Sequence, residues 1–280
     1  MNPNISSSLF SGETIKIKNK TYLYRGLKAW INLAELLHCR VLIPTEVSKE
    51  TILLTFEKLN QTDSFHKVAV QNREEKYGVE SKFFSINKNE EPTFLLAYHK
   101  ALESVKIESR KNILNLGINK GDEFELIREM VDRDVFESMN LIGIDHSKSA
   151  LEFAHSRFPN KLFYKQDINR LNELKLDKSN LIITIGTLQS PTINYKPFLM
   201  SLVQNYLTDD GALILGFPNS RWIDHELIYG AIPPNYPYSE ISLVFNDVIF
   251  AKKYLQQKKF RVTITGREYI FLTATKFQKR

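Results

Sequence analysis

The sequence predicts an α/β fold, a doubly wound and mostly parallel seven-stranded sheet closed by an antiparallel C-terminal hairpin, with a small α+β module in front of it. Three observations predict this. From residue 113 onward short apolar runs alternate with amphipathic stretches, the pattern of a parallel sheet covered on both faces. The run Ile113 to Leu116 breaks at Gly117 and turns through Gly121 into a helix, and such a turn lets the backbone approach a ligand at a helix N-terminus. The chain end reads as helix, strand, tight turn and strand.

The chain has 280 residues, enough for one large α/β domain or a core domain with a smaller companion. Its apolar fraction, 42%, is that of an ordinary globular protein. No run of 18 apolar residues occurs, and residues 1–11 carry no apolar leader segment, so a cytoplasmic location is expected and no membrane. Cys39 is the one cysteine, which excludes an internal disulfide and a multi-cysteine zinc site, and no metal is expected. The formal charge is +6. Its basic residues gather near the end, from Lys252 to Arg280, with Glu268 as the only acid there. That end can face solvent or touch an anion such as nucleic acid.

Residues 1–90 read as the small module and 91–280 as the main domain. Thr14 to Lys18 and Thr21 to Tyr24 alternate around Asn19-Lys20, a hairpin. Leu27, Trp30, Leu33, Ala34 and Leu37 recur at helical spacing, so 26–38 is an amphipathic helix. Arg40 to Pro44, Thr51 to Phe56 and His66 to Val70 are strand candidates, and 71–91 is a long polar loop or lid. Pro92 suits the first turn of a helix running to about Val105. Strands are then expected at 113–116, 141–144, 162–164, 181–185 and 212–215, with helices at 122–136, 150–157, 195–207 and 247–257. Strands at 261–265 and 268–275 complete the sheet.

The second strand ends in Asp145, 24 residues past Gly121, where a carboxylate can accept both ribose hydroxyls of a nucleotide or else cap the helix that follows. The third strand leads to Gln166-Asp167-Ile168 and the fourth to Gly186-Thr187-Leu188. After the fifth comes a stretch rich in aromatic and ionisable groups, Phe217 to Gly230, at a strand's carboxyl end. There Arg221 could hold an anion, Trp222 and Tyr229 could contact a substrate, and His225 could act as a base. The alternative is that Trp222 and Tyr229 pack a cover while the charges face water.

These features, over roughly residues 92–280, resemble the class I S-adenosylmethionine-dependent methyltransferases. The family's glycine loop has an acid followed by glycines at alternating positions. Here Asn115 stands in the acid's place, with Gly117, Asn119 and Gly121 after it. Asn115 can hydrogen-bond but carries no charge, and Asn119 is the non-glycine residue that best accepts a left-handed backbone.

The resemblance implies S-adenosylmethionine as cofactor. It implies ribose binding at Asp145 with His146 beside it, adenine binding by Asp167 and the Ile168 N–H, and contact with the methionine end near Gly186 and Leu188. The family's Asp/Asn-Pro-Pro-aromatic motif of amino methylation is missing after the fourth strand, and Pro233-Pro234-Asn235-Tyr236 reads as a downstream loop. The expected activity is methyl transfer to an unidentified acceptor, a small metabolite or nucleic acid. The alternatives are a non-catalytic regulatory or scaffold protein that binds a nucleoside ligand, and a nicotinamide oxidoreductase.

Overall fold

A computed structural model describes residues 9–49, 51–63, 75–230 and 242–277, with the side chains of 242 and 243 excepted. Of these, 9–63 and 221–229 form one unit, and the remainder form a second, larger one.

The first unit is built from short pieces. Strands β1 (Thr14–Ile17) and β2 (Lys20–Leu23) pair antiparallel around Lys18 and Asn19, both at positive φ, which fits the twist of a two-residue hairpin loop. Helix α1 (Leu27–Leu36) follows, one residue shorter than its periodicity predicts at the start and two at the end. Strand β3 (Cys39–Val41) pairs with β6 (Phe56–Lys58), and β4 (Thr45–Ser48) with β5 (Thr51–Leu53). The expected strand at 66–70 lies outside the described residues.

The second unit carries the sheet. Helix α2 (Pro92–Ser104) begins on its proline as expected. Strand β7 (Asn112–Leu116) leads to α3 (Asp122–Met130) and α4 (Arg133–Ser138). The sequence pattern predicts one helix there, but Val131 is extended and Asp132 starts a new helix. Strand β8 (Asn140–Asp145), helix α5 (Lys148–Arg157), β9 (Leu162–Lys165) and β10 (Ser179–Ile185) follow. Helix α6 (Tyr195–Ser201) widens into a π turn over 202–206 before β11 (Leu207–Pro218).

Strands β12 (Ser220–Ile223) and β13 (Glu226–Tyr229) form a hairpin within the stretch where substrate-contacting residues are expected. It turns on Asp224 and His225, both at positive φ. Ile223 and Ile228 pack with Leu59, and the Asp224 carboxylate takes the Asn60 N–H at 3.0 Å and the Arg40 guanidinium at 3.2 Å. Those contacts bind 221–229 to the first unit, which corrects the expected assignment of this stretch to the main domain. The boundary expected at residue 90 also falls too late in the chain, because 75–90 packs with the sheet unit. Helix α7 (Ser242–Gln257) and strands β14 (Phe260–Gly266) and β15 (Tyr269–Lys276) complete the chain.

The seven strands run in the order β14-β15-β11-β10-β7-β8-β9. Strands β11, β10, β7, β8 and β9 are mutually parallel, and β15 is antiparallel to both of its neighbours. This is the layout the sequence predicts, a Rossmann-like α/β sheet with a reversed strand inserted near one edge. Side chains alternate across it. Ile113, Ile183, Ile214 and Phe271 face a core closed by Tyr98 and Leu102 of α2 and Phe124 and Ile127 of α3. Leu114, Ile182, Leu213 and Leu272 face the other core, closed by Leu199 of α6 and Val248, Ala251 and Leu255 of α7. The period of two, with both faces apolar, explains why these strands are continuous apolar runs. Among the described residues no helix is long and apolar enough to cross a membrane.

Candidate functional site

The strand order reverses between β7 and β10, since the chain leaves β7 toward β8 and β9 but later fills the other side with β10 and β11. In open α/β sheets a ligand binds outside the carboxyl ends of the strands at such a point. The ends of β7, β8, β9 and β10 carry Gly117 to Gly121, Asp145, Asp167 and Gly186, so the fold brings these predicted residues to one edge of the sheet.

The turn after β7 alternates left-handed residues, Gly117 at φ 78°, Asn119 at 47° and Gly121 at 89°. The tolerance expected of Asn119 is therefore used. Gly117 has a second constraint, since a Cβ there would lie 2.0 Å from Thr187 Oγ1. At Gly121 a Cβ would meet the Phe158 ring at 2.9 Å. The Gly117 and Ile118 N–H groups both donate to the Ile144 carbonyl, at 2.8 and 3.2 Å, and pin the turn to the end of β8.

Asp145 is buried at 6% exposure. Its Oδ2 accepts from the Asn119 N–H at 2.9 Å and its Oδ1 from the Ser147 N–H at 3.0 Å. Each oxygen keeps a further lone pair, because a carboxylate offers about four acceptor positions in all. His146 sits beside it, Nδ1 3.5 Å from Oδ1, with its side chain largely exposed. The capping alternative raised for Asp145 falls instead to Ser147, whose hydroxyl accepts from the Ala150 N–H at 3.2 Å.

Asn115 is 1% exposed, and neither atom of its amide has a hydrogen-bond partner. An orphaned buried amide is costly and calls for a partner. Asp167 is exposed, and its Oδ1 accepts from the Asn169 N–H and side-chain amide at 2.9 and 3.0 Å, capping the 3-10 turn that follows; Ile168 is buried. The Gln166 N–H donates to the Asp145 carbonyl at 2.9 Å, tying this turn to the end of β8. Gly186 is exposed at φ 73°. Leu188 is 3% exposed, and its side chain belongs to the core with Leu116 and Tyr195. Thr187 between them donates to the Leu116 carbonyl at 3.1 Å, so it bridges the ends of β10 and β7. The sequence names Thr187 only as part of the run after the fourth strand and gives no sign of this bridging role.

Sequence reasoning also missed the groups that 75–90 brings. Tyr77 O accepts from Asn119 Nδ2 at 2.7 Å, and the Lys120 ammonium donates to the carbonyls of Phe84 and Ile86 at 2.8 and 2.7 Å. Lys88 Nζ lies 3.7 Å from Glu123 Oε1 at the start of α3. Burial pushes the Glu123 carboxyl up to about 6, against the pull of Lys88. Burial also presses the Lys88 ammonium downward, but Glu123, Tyr269, Asp122 and Asp145 outweigh it and hold the group above its ordinary value. The segment read as a loop or lid is thus fastened to the glycine turn and to α3.

Arg221, Trp222, His225 and Tyr229 lie on the β12–β13 hairpin of the first unit, in place of the main domain's strand end expected for them. The His225 ring is exposed, Nε2 4.0 Å from Asp63 Oδ2. Asp63, Asp224 and His225 offer ligand atoms within 4.8 Å of one another, but Asp224 is already engaged by Arg40 and Asn60.

No protein-family model matches the chain, and no curated protein matches it. Among solved structures it is similar to a TehB-like SAM-dependent methyltransferase from Corynebacterium glutamicum, at 14% identity over 64% of this chain and 87% of that one, TM-score 0.42. It is similar to TehB from Haemophilus influenzae at 12% identity over 64% of this chain and 62% of that one, TM-score 0.43. It is similar to the plantazolicin methyltransferase BpumL, solved with SAH, at 13% identity over 69% and 88%, TM-score 0.46.

Proposed function

We propose that the chain is a methyltransferase that uses S-adenosylmethionine, with its cofactor site at the carboxyl ends of β7, β8, β9 and β10. One observation carries the reading: a buried carboxylate, Asp145, is joined by a hydrogen bond to a glycine turn at the switch point of a sheet whose last strand is reversed. A nicotinamide site would share the turn and the acid, but the reversed strand beside β11 favours the methyltransferase over it.

The residues present fit the group. Asp145 has acceptor capacity left for ribose hydroxyls. The Asn115 amide, buried and without a partner, can accept from an ammonium and donate to a carboxylate, both of which the amino-acid end of the cofactor carries. On this reading Gly186 borders that end, and Asp167 with the Ile168 N–H serves the adenine.

Bound S-adenosylmethionine supplies a methyl group on a sulfonium centre that leaves readily. The protein then needs chiefly to align an acceptor with that methyl and to exclude water. Asp145 and the turn fix the nucleoside end. Thr187 holds the ends of β7 and β10 together, and the buried Lys88–Glu123 pair fastens 75–90 to the start of α3. The acceptor is a small metabolite or a nucleic acid.

The test is incubation with methyl-labelled S-adenosylmethionine and separated pools of small metabolites, nucleic acid and protein. Label moving into one pool, and blocked by S-adenosylhomocysteine, is the expected result. Label that stays with the donor in every pool contradicts catalysis.

A further inference from the structure

Helix α5 starts three residues after Asp145, with Ser147 as its N-cap, and runs for ten residues. Its first N–H groups and the hydroxyls of Ser147 and Ser149 make a set of donors suited to an anion. That set is taken. Glu75 Oε1 accepts from the Lys148 N–H at 2.9 Å and the Ser149 N–H at 3.4 Å. Its Oε2 accepts from the Ser147 hydroxyl at 2.9 Å and from the Ser149 hydroxyl.

The local chain is shaped for this. A Cβ on Gly78 would lie 2.0 Å from Glu75 Oε2 and 2.6 Å from Ser149 Oγ, so a side chain there would displace the carboxylate and the hydroxyl from this arrangement. The Val79 N–H donates to Ser149 Oγ at 3.0 Å. Burial works to raise the Glu75 carboxyl, but the bonds from Ser149, Ser147 and the two backbone N–H groups outweigh it and hold it below the usual carboxylate range. It is therefore charged at neutral pH.

Ser147 links two carboxylates, its N–H on Asp145 and its hydroxyl on Glu75. The ribose edge of the candidate site is thus bordered by two negative charges, and the nearest anion cradle is filled by one of them. We infer that Glu75 determines specificity at this edge, admitting a nucleoside whose ribose hydroxyls are free and rejecting one that carries a phosphate there. The inference rests on the reading of Asp145 as the ribose acceptor. A phosphate would meet two like charges, and it could reach the donors of α5 only by displacing Glu75.

The experiment compares adenosine, S-adenosylhomocysteine and adenosine 2′-monophosphate on the full chain, by calorimetry, for wild type, Glu75→Gln and Glu75→Asp. Wild type should bind the first two and reject the third. Glu75→Gln, which removes the charge, should improve the 2′-phosphate relative to adenosine by at least about tenfold. Glu75→Asp keeps the charge and should keep the rejection. An unchanged ratio in Glu75→Gln overturns the inference and leaves the cofactor reading standing. If Glu75→Gln does not fold, wild type still decides, since 2′-monophosphate binding as tight as adenosine overturns it. Failure of every form to bind adenosine and S-adenosylhomocysteine overturns the cofactor reading as well.

Discussion

The backbone N–H of Asn119 donates to the Oδ2 of Asp145 across 2.9 Å. The bond joins the turn after β7 to the end of β8, so the shape of the turn and the position of the acid are set together. Substitutions on either side should therefore register in binding or in stability in ways that separate the two.

At Asp145 the substitution to read is Asp145→Asn, which keeps the shape and removes the charge. Charge-assisted bonds contribute about 1.5–3 kcal/mol each, so S-adenosylhomocysteine should bind about 10- to 100-fold more weakly. Unchanged affinity in a folded variant, by calorimetry, would show that the ribose lies elsewhere.

Gly117→Ala should destabilise the chain for two reasons. A left-handed backbone costs a residue with a Cβ about 1–2 kcal/mol, and the new methyl would overlap Thr187 Oγ1. The double variant Gly117→Ala with Thr187→Ala relieves the overlap but not the backbone cost, so it should recover part of the loss. Urea unfolding measures both, and full recovery would mean that the backbone angle costs nothing.

Asn119→Gly and Asn119→Val probe the same turn differently. Glycine keeps the left-handed backbone and loses only the amide bond to the Tyr77 carbonyl. Valine loses that bond and is β-branched, the class for which positive φ is a true outlier. Valine should lower the melting temperature well below glycine. Equal melting temperatures would remove the conformational argument for this position.

Glu123 gives a pH signature. Its carboxyl is raised in the folded protein from an ordinary 4.5 to about 6. A raised acid binds its proton more tightly when folded, so its contribution is fully present below pH 4.5 and is lost as pH rises through 6. The stability of wild type relative to Glu123→Gln should therefore fall by about 2 kcal/mol between pH 4.5 and pH 7. Urea titrations at the two values measure it, and a difference that does not change with pH would contradict the assignment.

Much of the fold is legible in the sequence because it rests on local signals. The apolar runs at 113–116, 181–185 and 212–215 are strands because both faces of the sheet are covered, and the Gly117, Asn119, Gly121 alternation is the conformation that those residue types admit. The acid at the end of β8 is legible for the same reason, since register alone puts it at the sheet edge.

What stayed hidden depends on contacts far apart in sequence. Nothing near Glu75 says that its carboxylate meets Ser147 and Ser149, and nothing near Lys88 points to Glu123. The stretch Phe217 to Gly230 shows no strands in the sequence because its aromatic and charged residues hide the alternation, yet Ile223 and Ile228 are strand positions that pack on Leu59. The break of the helix expected at 122–136 has no glycine or proline to announce it.

The most direct test of the central claim is calorimetric titration of the full chain with S-adenosylmethionine and S-adenosylhomocysteine. Saturable binding of both at one site, at micromolar concentrations or below, is the result that the geometry around Asp145 predicts. Titrations that show no heat of binding with either ligand, for a protein that unfolds cooperatively, would contradict it.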